Sequence, residues 1–255
     1  MPVVTVTGPR QSGKTTLCRH AFADKTHVSL EPLDVRDYAR SDPRGFLDEY
    51  GGGVIIDEVQ HVPELLIYLQ QEVDRRPDPG RFILTGSQHL GLLDGVTQSL
   101  AGRTAVLYLL PPSIDELRRF ERTGADPLDD LFTALSTGAY PRIHDRELPA
   151  RRWLTDYVTT YLQRDVRQAR KVGDLLTFNT FLKLCAGRTA QELNLSALGS
   201  DAGVTHNTAR AWLSVLEAGF ICLRLPAWHA NLRKQLVRTP KLHFVDSGLL
   251  CQLLG

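Results

Sequence analysis

Four cysteines, Cys18, Cys185, Cys222 and Cys251, are scattered through the 255 residues, and no two form a C-x-x-C pair. The eight histidines show no H-E-x-x-H or similar ligand spacing. These absences leave a zinc site and a disulfide framework unsupported, and they fit a reducing, cytoplasmic setting. The opening MPVVTVTGPR has no basic n-region and no long apolar h-region. Apolar runs such as AVLYLL are far too short to cross a bilayer. A soluble chain without a membrane partner is therefore expected. There are no internal repeats and no low-complexity segments.

What is present fits a globular protein. Hydrophobic residues make up 42% and charged residues 23%, which argues against global disorder. The net charge of +1 hides an asymmetry. Residues 1–150 hold 16 Lys and Arg against 22 Asp and Glu, a balance of −6, whereas residues 151–255 hold 14 against 7, a balance of +7. An acidic first half and a basic second half suggest two units with different partners, or two halves that attract each other.

Short apolar runs alternate with helical patterns through the first half. VVTV, HVSLEPL, VIID, FILTG and TAVLYLL read as strands, and TTLCRHAF, ELLIYLQQEVDRR and LGLLDGVTQSL as helices. Strands apolar on both faces belong in a parallel sheet covered by helices, so residues 1 to about 112 read as a doubly wound α/β domain. IDELRRFERTG and LDDLFTALSTG then read as helices closed by glycine, and from Arg151 the pattern is helical and basic. The boundary is drawn near residue 145, within a range from 112 to 150, giving domains 1–145 and 146–255.

Gly8-Pro9-Arg10-Gln11-Ser12-Gly13-Lys14-Thr15 matches G-x-x-x-x-G-K-[ST], and Thr16 follows it. The glycines allow the backbone to turn tightly and bring N–H groups onto phosphate oxygens. Lys14 supplies a mobile charge for the β- and γ-phosphates, and Thr15 a hydroxyl for Mg²⁺. The helix opening near Gly13 turns its positive end to the same phosphates. The motif follows a strand and opens a helix, the setting it requires.

VIIDEVQ ends a second strand in Asp57 and Glu58, where open α/β sheets bind ligands. Asp57 is expected to hold Mg²⁺, mostly through water, and Glu58 to take a proton from an attacking water. Gln60 and His61 read as residues preceding the helix that Pro63 starts. RFILTGSQ ends in Thr85, Ser87 and Gln88; if it lies between the first strand and VIID, Ser87, or failing that Gln88, would sense the γ-phosphate. Arg103, just before TAVLYLL, is a candidate arginine finger for a neighbour's site in a homo-oligomer, or a surface arginine paired with an acid. No [NT]-K-x-D motif reads guanine, so the nucleotide is expected to be ATP.

Taken together, GPRQSGKTTL, SDPRGFL, VIIDEVQHVPEL, FILTGSQ and SLAGRTAVLYLLP resemble a family of prokaryotic AAA-type P-loop ATPases. GAYPRI, YLQRDV and KLHFVDSGLL resemble its later landmarks. The resemblance implies an α/β P-loop NTPase core of the AAA/ASCE type, followed by a mainly helical winged-helix domain. Members usually carry a lead-in before the first strand and continue past the D-S-G-L stretch into a nuclease-like fold. Here that strand starts at residue 3 and the sequence ends at Gly255, as in a fragment or a short member.

LSALGSDAGVTHNTARAWLSVLEAGF has a helix-turn-helix rhythm, with Gly203 at the turn, Thr205 as N-cap, and Ala209, Trp212, Leu213 and Leu216 buried. FICLRL and KLHFV would pair as a wing. His206, Asn207 and Arg210 would then face base edges or phosphates of double-stranded DNA, with Arg224, Arg233, Lys234 and Arg238 near the wing. A protein partner for this module is the competing expectation. Two functions follow: Mg²⁺-dependent ATP hydrolysis that moves the basic module, or a DNA-binding regulator that holds nucleotide without turning it over.

Overall fold

A computed structural model describes residues 1–86, 99–120, 131–162, 174–231 and 238–255. Contacts divide the chain into two compact units, Met1–Leu110 and Pro111–Gly255.

The first unit is a five-stranded sheet in the order β2-β3-β4-β1-β5, with every neighbouring pair parallel. The strands are β1 (Val3–Thr7), β2 (Thr26–Ser29), β3 (Val54–Asp57), β4 (Phe82–Gly86) and β5 (Thr104–Tyr108). β3 and β4 are buried along their whole length, as strands covered on both faces must be. Helices α1 (Lys14–Ala21), α2 (Leu33–Ser41), α3 (Pro43–Glu49) and α4 (Leu65–Arg75) provide connections between strands. The β2 strand is shorter than HVSLEPL suggests: it ends at Ser29, and Pro32, extended at φ −63° and ψ 139°, takes the N-cap position of α2.

The start of α3 explains the S-D-P-x-x-F-L stretch. Asp42 accepts a hydrogen bond from Gly45 N at 2.9 Å, Pro43 occupies the first turn where no N–H is needed, and Phe46 and Leu47 are buried. On α4, Leu65, Leu66, Leu69 and Val73 recur at helical spacing and are buried against the same core.

The second unit is mainly helical. It contains α5 (Ile114–Phe120), α6 (Leu131–Thr137), α7 (Pro141–Asp145), α8 (Ala150–Tyr157) continued by a wider π-turn to Leu162, α9 (Leu175–Gly187), α10 (Leu195–Asp201), α11 (His206–Ala218) and α12 (Ser247–Leu254). An antiparallel pair, β6 (Cys222–Leu225) and β7 (Lys241–Phe244), completes it. Trp212 lies edge-on to Phe178 and Phe181, with centroids 5.3 and 5.4 Å away. It is a core residue, as its spacing predicts. Side-chain caps start several of its helices, among them Asp174 on α9, Asn194 on α10, Thr205 on α11 and Asp246 on α12.

Two stretches far apart in sequence lock together here. Asp246, 2% exposed, accepts from Leu249 N and from Ala139 N, each at 2.7 Å. Gly138 has a left-handed φ of +71°, and a Cβ there would meet Asp246 Oδ1 at 2.5 Å. GAYP and VDSG thus form one clamp, with Tyr140 buried beneath. The clamp ties Tyr140 into the core of the second unit, which begins at Pro111.

Candidate nucleotide site

β1 ends in Thr7, and the Gly8–Thr15 loop leads from it into α1. Gly8 runs beside β5: a Cβ there would lie 2.1 Å from Leu109 O, so only glycine lets the loop leave the sheet this way. Gln11 has φ 63°, and Gly13, φ 89°, precedes the first helical residue, Lys14. Pro9 is buried, Arg10 is partly exposed, and Thr16 is exposed on the helix.

Lys14 is 7% exposed. Its Nζ donates to Gly8 O at 3.1 Å and to Pro9 O at 2.6 Å, and so closes the loop on itself. Burial pulls its pKa down to about 8, although the Glu58 and Asp57 carboxylates oppose this. The site is thus short of negative charge for its lysine, a deficit that phosphate oxygens would supply. The hydroxyls of Ser12 and Thr7 are buried with no partner among the described residues. Unpaired buried hydroxyls at a tight backbone cradle fit a polar, many-oxygen ligand.

Asp57 sits at the carboxyl end of β3, 8% exposed, at the centre of the site. Thr15 Oγ1 donates to its Oδ2 at 2.8 Å, and Thr85 Oγ1 donates to its Oδ1. His27 on β2 places Nε2 3.6 Å from Oδ2. The strand order causes this meeting: β4 lies between β1 and β3, so residues 42 and 28 positions from Asp57 converge on one carboxylate. A hydroxyl and a carboxylate side by side suit Mg²⁺, which takes few protein oxygens and fills its shell with water and phosphate. No group of three or more His, Cys, Asp or Glu able to hold a metal occurs among the described residues.

Glu58 follows in a left-handed conformation, φ 55° and ψ 43°, and begins the 3-10 turn Val59–His61. Burial raises its carboxyl pKa, while a hydrogen bond from Gln60 Nε2 pulls it back down.

Other predicted residues fall elsewhere. Ser87, the γ-phosphate sensor expected from the sequence, and Gln88 lie outside the described residues. Arg103 stands at the amino end of β5, where its carbonyl accepts from Val3 N. That is the end of the sheet opposite the loop. It grips Asp74 in a two-pronged ion pair, Nε to Oδ1 at 2.6 Å and Nη2 to Oδ2 at 2.9 Å. In the second unit, α11 carries His206 half-buried and Asn207 and Arg210 exposed. Arg224 is paired with Glu217 at 2.6 Å, and Arg233 and Lys234 lie outside the described residues.

Three residues that touch the site were given no role there by the sequence. His27 gives no signal, because nothing in THVS distinguishes it. Thr85 was legible as polar at a strand end. Gln60 was legible only as a neighbour of Glu58.

The family model described as an AAA domain matches residues 1–118, and the model described as Domain of unknown function (DUF8612) matches residues 128–255. The uncharacterized proteins Mb2031c of Mycobacterium bovis and Rv2008c of Mycobacterium tuberculosis are each 32% identical over 256 residues. The alignment takes in 100% of this chain but 56% of either relative, so the chain spans about half their length. The Walker-type ATPase PABY2304 of Pyrococcus abyssi shares the fold, with a TM-score of 0.59 and 15% identity over 99% of this chain and 91% of that one. No helix among the described residues is long and apolar enough to cross a membrane. A parallel sheet of this order and a phosphate loop opening α1 agree with these matches: residues 1–118 form an AAA-type P-loop ATPase domain, whose fold supports ATP binding, and with residues 128–255 the chain belongs to the family described as a domain of unknown function.

Proposed function

We propose that this chain binds ATP with Mg²⁺ at Gly8–Thr16 and hydrolyses it. The observation that carries the reading is the 2.8 Å bond from Thr15 to Asp57, beside Lys14 and next to Glu58. Loop amides, Ser12 and Lys14 bind the phosphates. Thr15 and Asp57 would hold the metal, which when bound would supply positive charge to the phosphates. Glu58, its pKa raised by burial, takes the proton of the attacking water. Thr85 lies on the strand between β1 and β3 and ties Asp57 in place; Ser87, farther along the chain, is proposed to sense the γ-phosphate.

The basic module would carry the result of the cycle to double-stranded DNA. The order α10, the turn at Gly203, α11, β6 and β7 supports a winged helix, whose His206, Asn207 and Arg210, together with Lys234, would contact the duplex. Arg103 would act across a subunit boundary in a homo-oligomer.

Single-turnover phosphate release tests the enzymatic part. Release should occur in the unaltered chain and be lost in Glu58→Gln with ATP binding intact. Binding without release, even with duplex DNA present, would favour a nucleotide-held regulator. Arg210→Ala with Lys234→Ala should weaken DNA binding and flatten its salt dependence by about one to two counterions. Unchanged binding would point to a protein partner.

A further inference from the structure

We propose that Gln60 is a second working residue of the hydrolytic site: its amide nitrogen fixes the Glu58 carboxylate, and its Oε1 takes the second hydrogen of the attacking water. The inference rests on the reading of Glu58 as base. Three features of the chain carry it.

The first is the bond itself. Gln60 Nε2 donates to Glu58 Oε2. A carboxylate only accepts, so the amide nitrogen must be the end that faces it, and this settles which end of the glutamine amide points away. The second is what that leaves. Gln60 Oε1 is buried with no partner among the described residues. A buried carbonyl oxygen without a donor forfeits its hydration and destabilises the fold. A site retains such a group when a ligand supplies the donor. The third is the backbone. Glu58 is held left-handed at φ 55°, a conformation unusual for glutamate, and the single 3-10 turn after it folds Gln60 back over the carboxylate. Val59 and Val62, both fully buried, pin that turn to the sheet. His61 N also bonds to Glu58 O at 3.0 Å.

A water between the two side chains gives one hydrogen to Glu58 and the other to Gln60 Oε1, leaving a lone pair directed at phosphorus. The water oxygen bonds to the γ-phosphorus. The bond to the bridging oxygen breaks, and its electron pair leaves on ADP. The proton from water passes to Glu58. Gln60 keeps its own hydrogens throughout; its contribution is orientation.

The test uses the full chain and three variants, Gln60→Leu, Gln60→Glu and Glu58→Gln, together with the Leu change in the Glu58→Gln background. Gln60→Leu should lower kcat by about ten- to a hundredfold while KM and the affinity for a non-hydrolysable ATP analogue change less than about twofold. Gln60→Glu keeps size and an acceptor but repels Glu58, and it should lose turnover as well, so a folding defect in one variant does not decide the matter. In the Glu58→Gln background the Leu change should cost almost nothing, because the two act on one water. A readout without nucleotide is the Gln60 side-chain amide in ¹⁵N–¹H spectra: one proton should be shifted downfield and slow to exchange, and Glu58→Ala should abolish this. Turnover of Gln60→Leu within about twofold of the unaltered chain, independent losses that multiply in the double variant, or an amide signal indifferent to Glu58→Ala would each overturn the proposal. No phosphate release from the unaltered chain would overturn the hydrolytic reading and this one with it, a different result from normal release that ignores Gln60.

Discussion

Replacing Lys14 by methionine should separate what the loop lysine costs the empty protein from what it contributes to binding. Lys14 is 7% exposed, and its folded pKa is about 8 against an ordinary 10.5. Below pH 8 the lysine is protonated in both folded and unfolded chains, and the depressed pKa then acts as a full penalty on the fold. The difference in pKa corresponds to about 3 kcal/mol. Between pH 8 and 10.5 the unfolded chain binds more protons than the folded one, so stability rises with pH in that window. The bonds from Nζ to Gly8 O and Pro9 O offset part of the penalty at every pH, which makes the absolute change in Lys14→Met a poor measure. The change with pH is the better one. Relative to Lys14→Met, the unaltered protein should gain about 2 kcal/mol between pH 7 and pH 10, read from chemical denaturation of the nucleotide-free proteins. Nucleotide should reverse the sign of the lysine's role, because phosphate oxygens favour its charged form. Binding at pH 9 should therefore take up a proton, seen by calorimetry in buffers of different ionisation heat, and Lys14→Met should bind weakly without that uptake. Stability curves for the two proteins that stay parallel from pH 7 to 10 would refute the argument.

Three further outcomes follow from the geometry. Gly8→Ala should abolish nucleotide binding and lower the melting temperature, since its Cβ would overlap Leu109 O at 2.1 Å; calorimetry and thermal melting check both. Arg103→Ala breaks a solvent-exposed pair with Asp74, so melting and the single-turnover rate of dilute protein should stay unchanged. Turnover that depends on protein concentration in the unaltered chain and not in this variant would indicate a role between subunits. Asp246→Ala removes the α12 cap and the partner of Ala139 N together, and should cost about 2–4 kcal/mol by denaturant unfolding of the second unit, with Asp246→Asn costing less.

The sequence by itself determined the elements whose physics is local. The loop Gly8–Thr15 needs its glycines and lysine at fixed spacing between a strand and a helix, so it was legible without coordinates. The same holds for the parallel-sheet strands, for Thr205 as a cap, and for Trp212 as core. The clamp between Gly138 and Asp246 was not legible, because it joins stretches far apart in the sequence. Nor were His27 beside Asp57 or the turn of Gln60 onto Glu58. Only the tertiary structure decided these, because they depend on which strands become neighbours and on which side a backbone turns. Spacing along a chain records periodicity and local backbone requirements. It does not record a carboxylate shared by side chains from two other strands and a helix, which exists only once the sheet has assembled in the order β2-β3-β4-β1-β5.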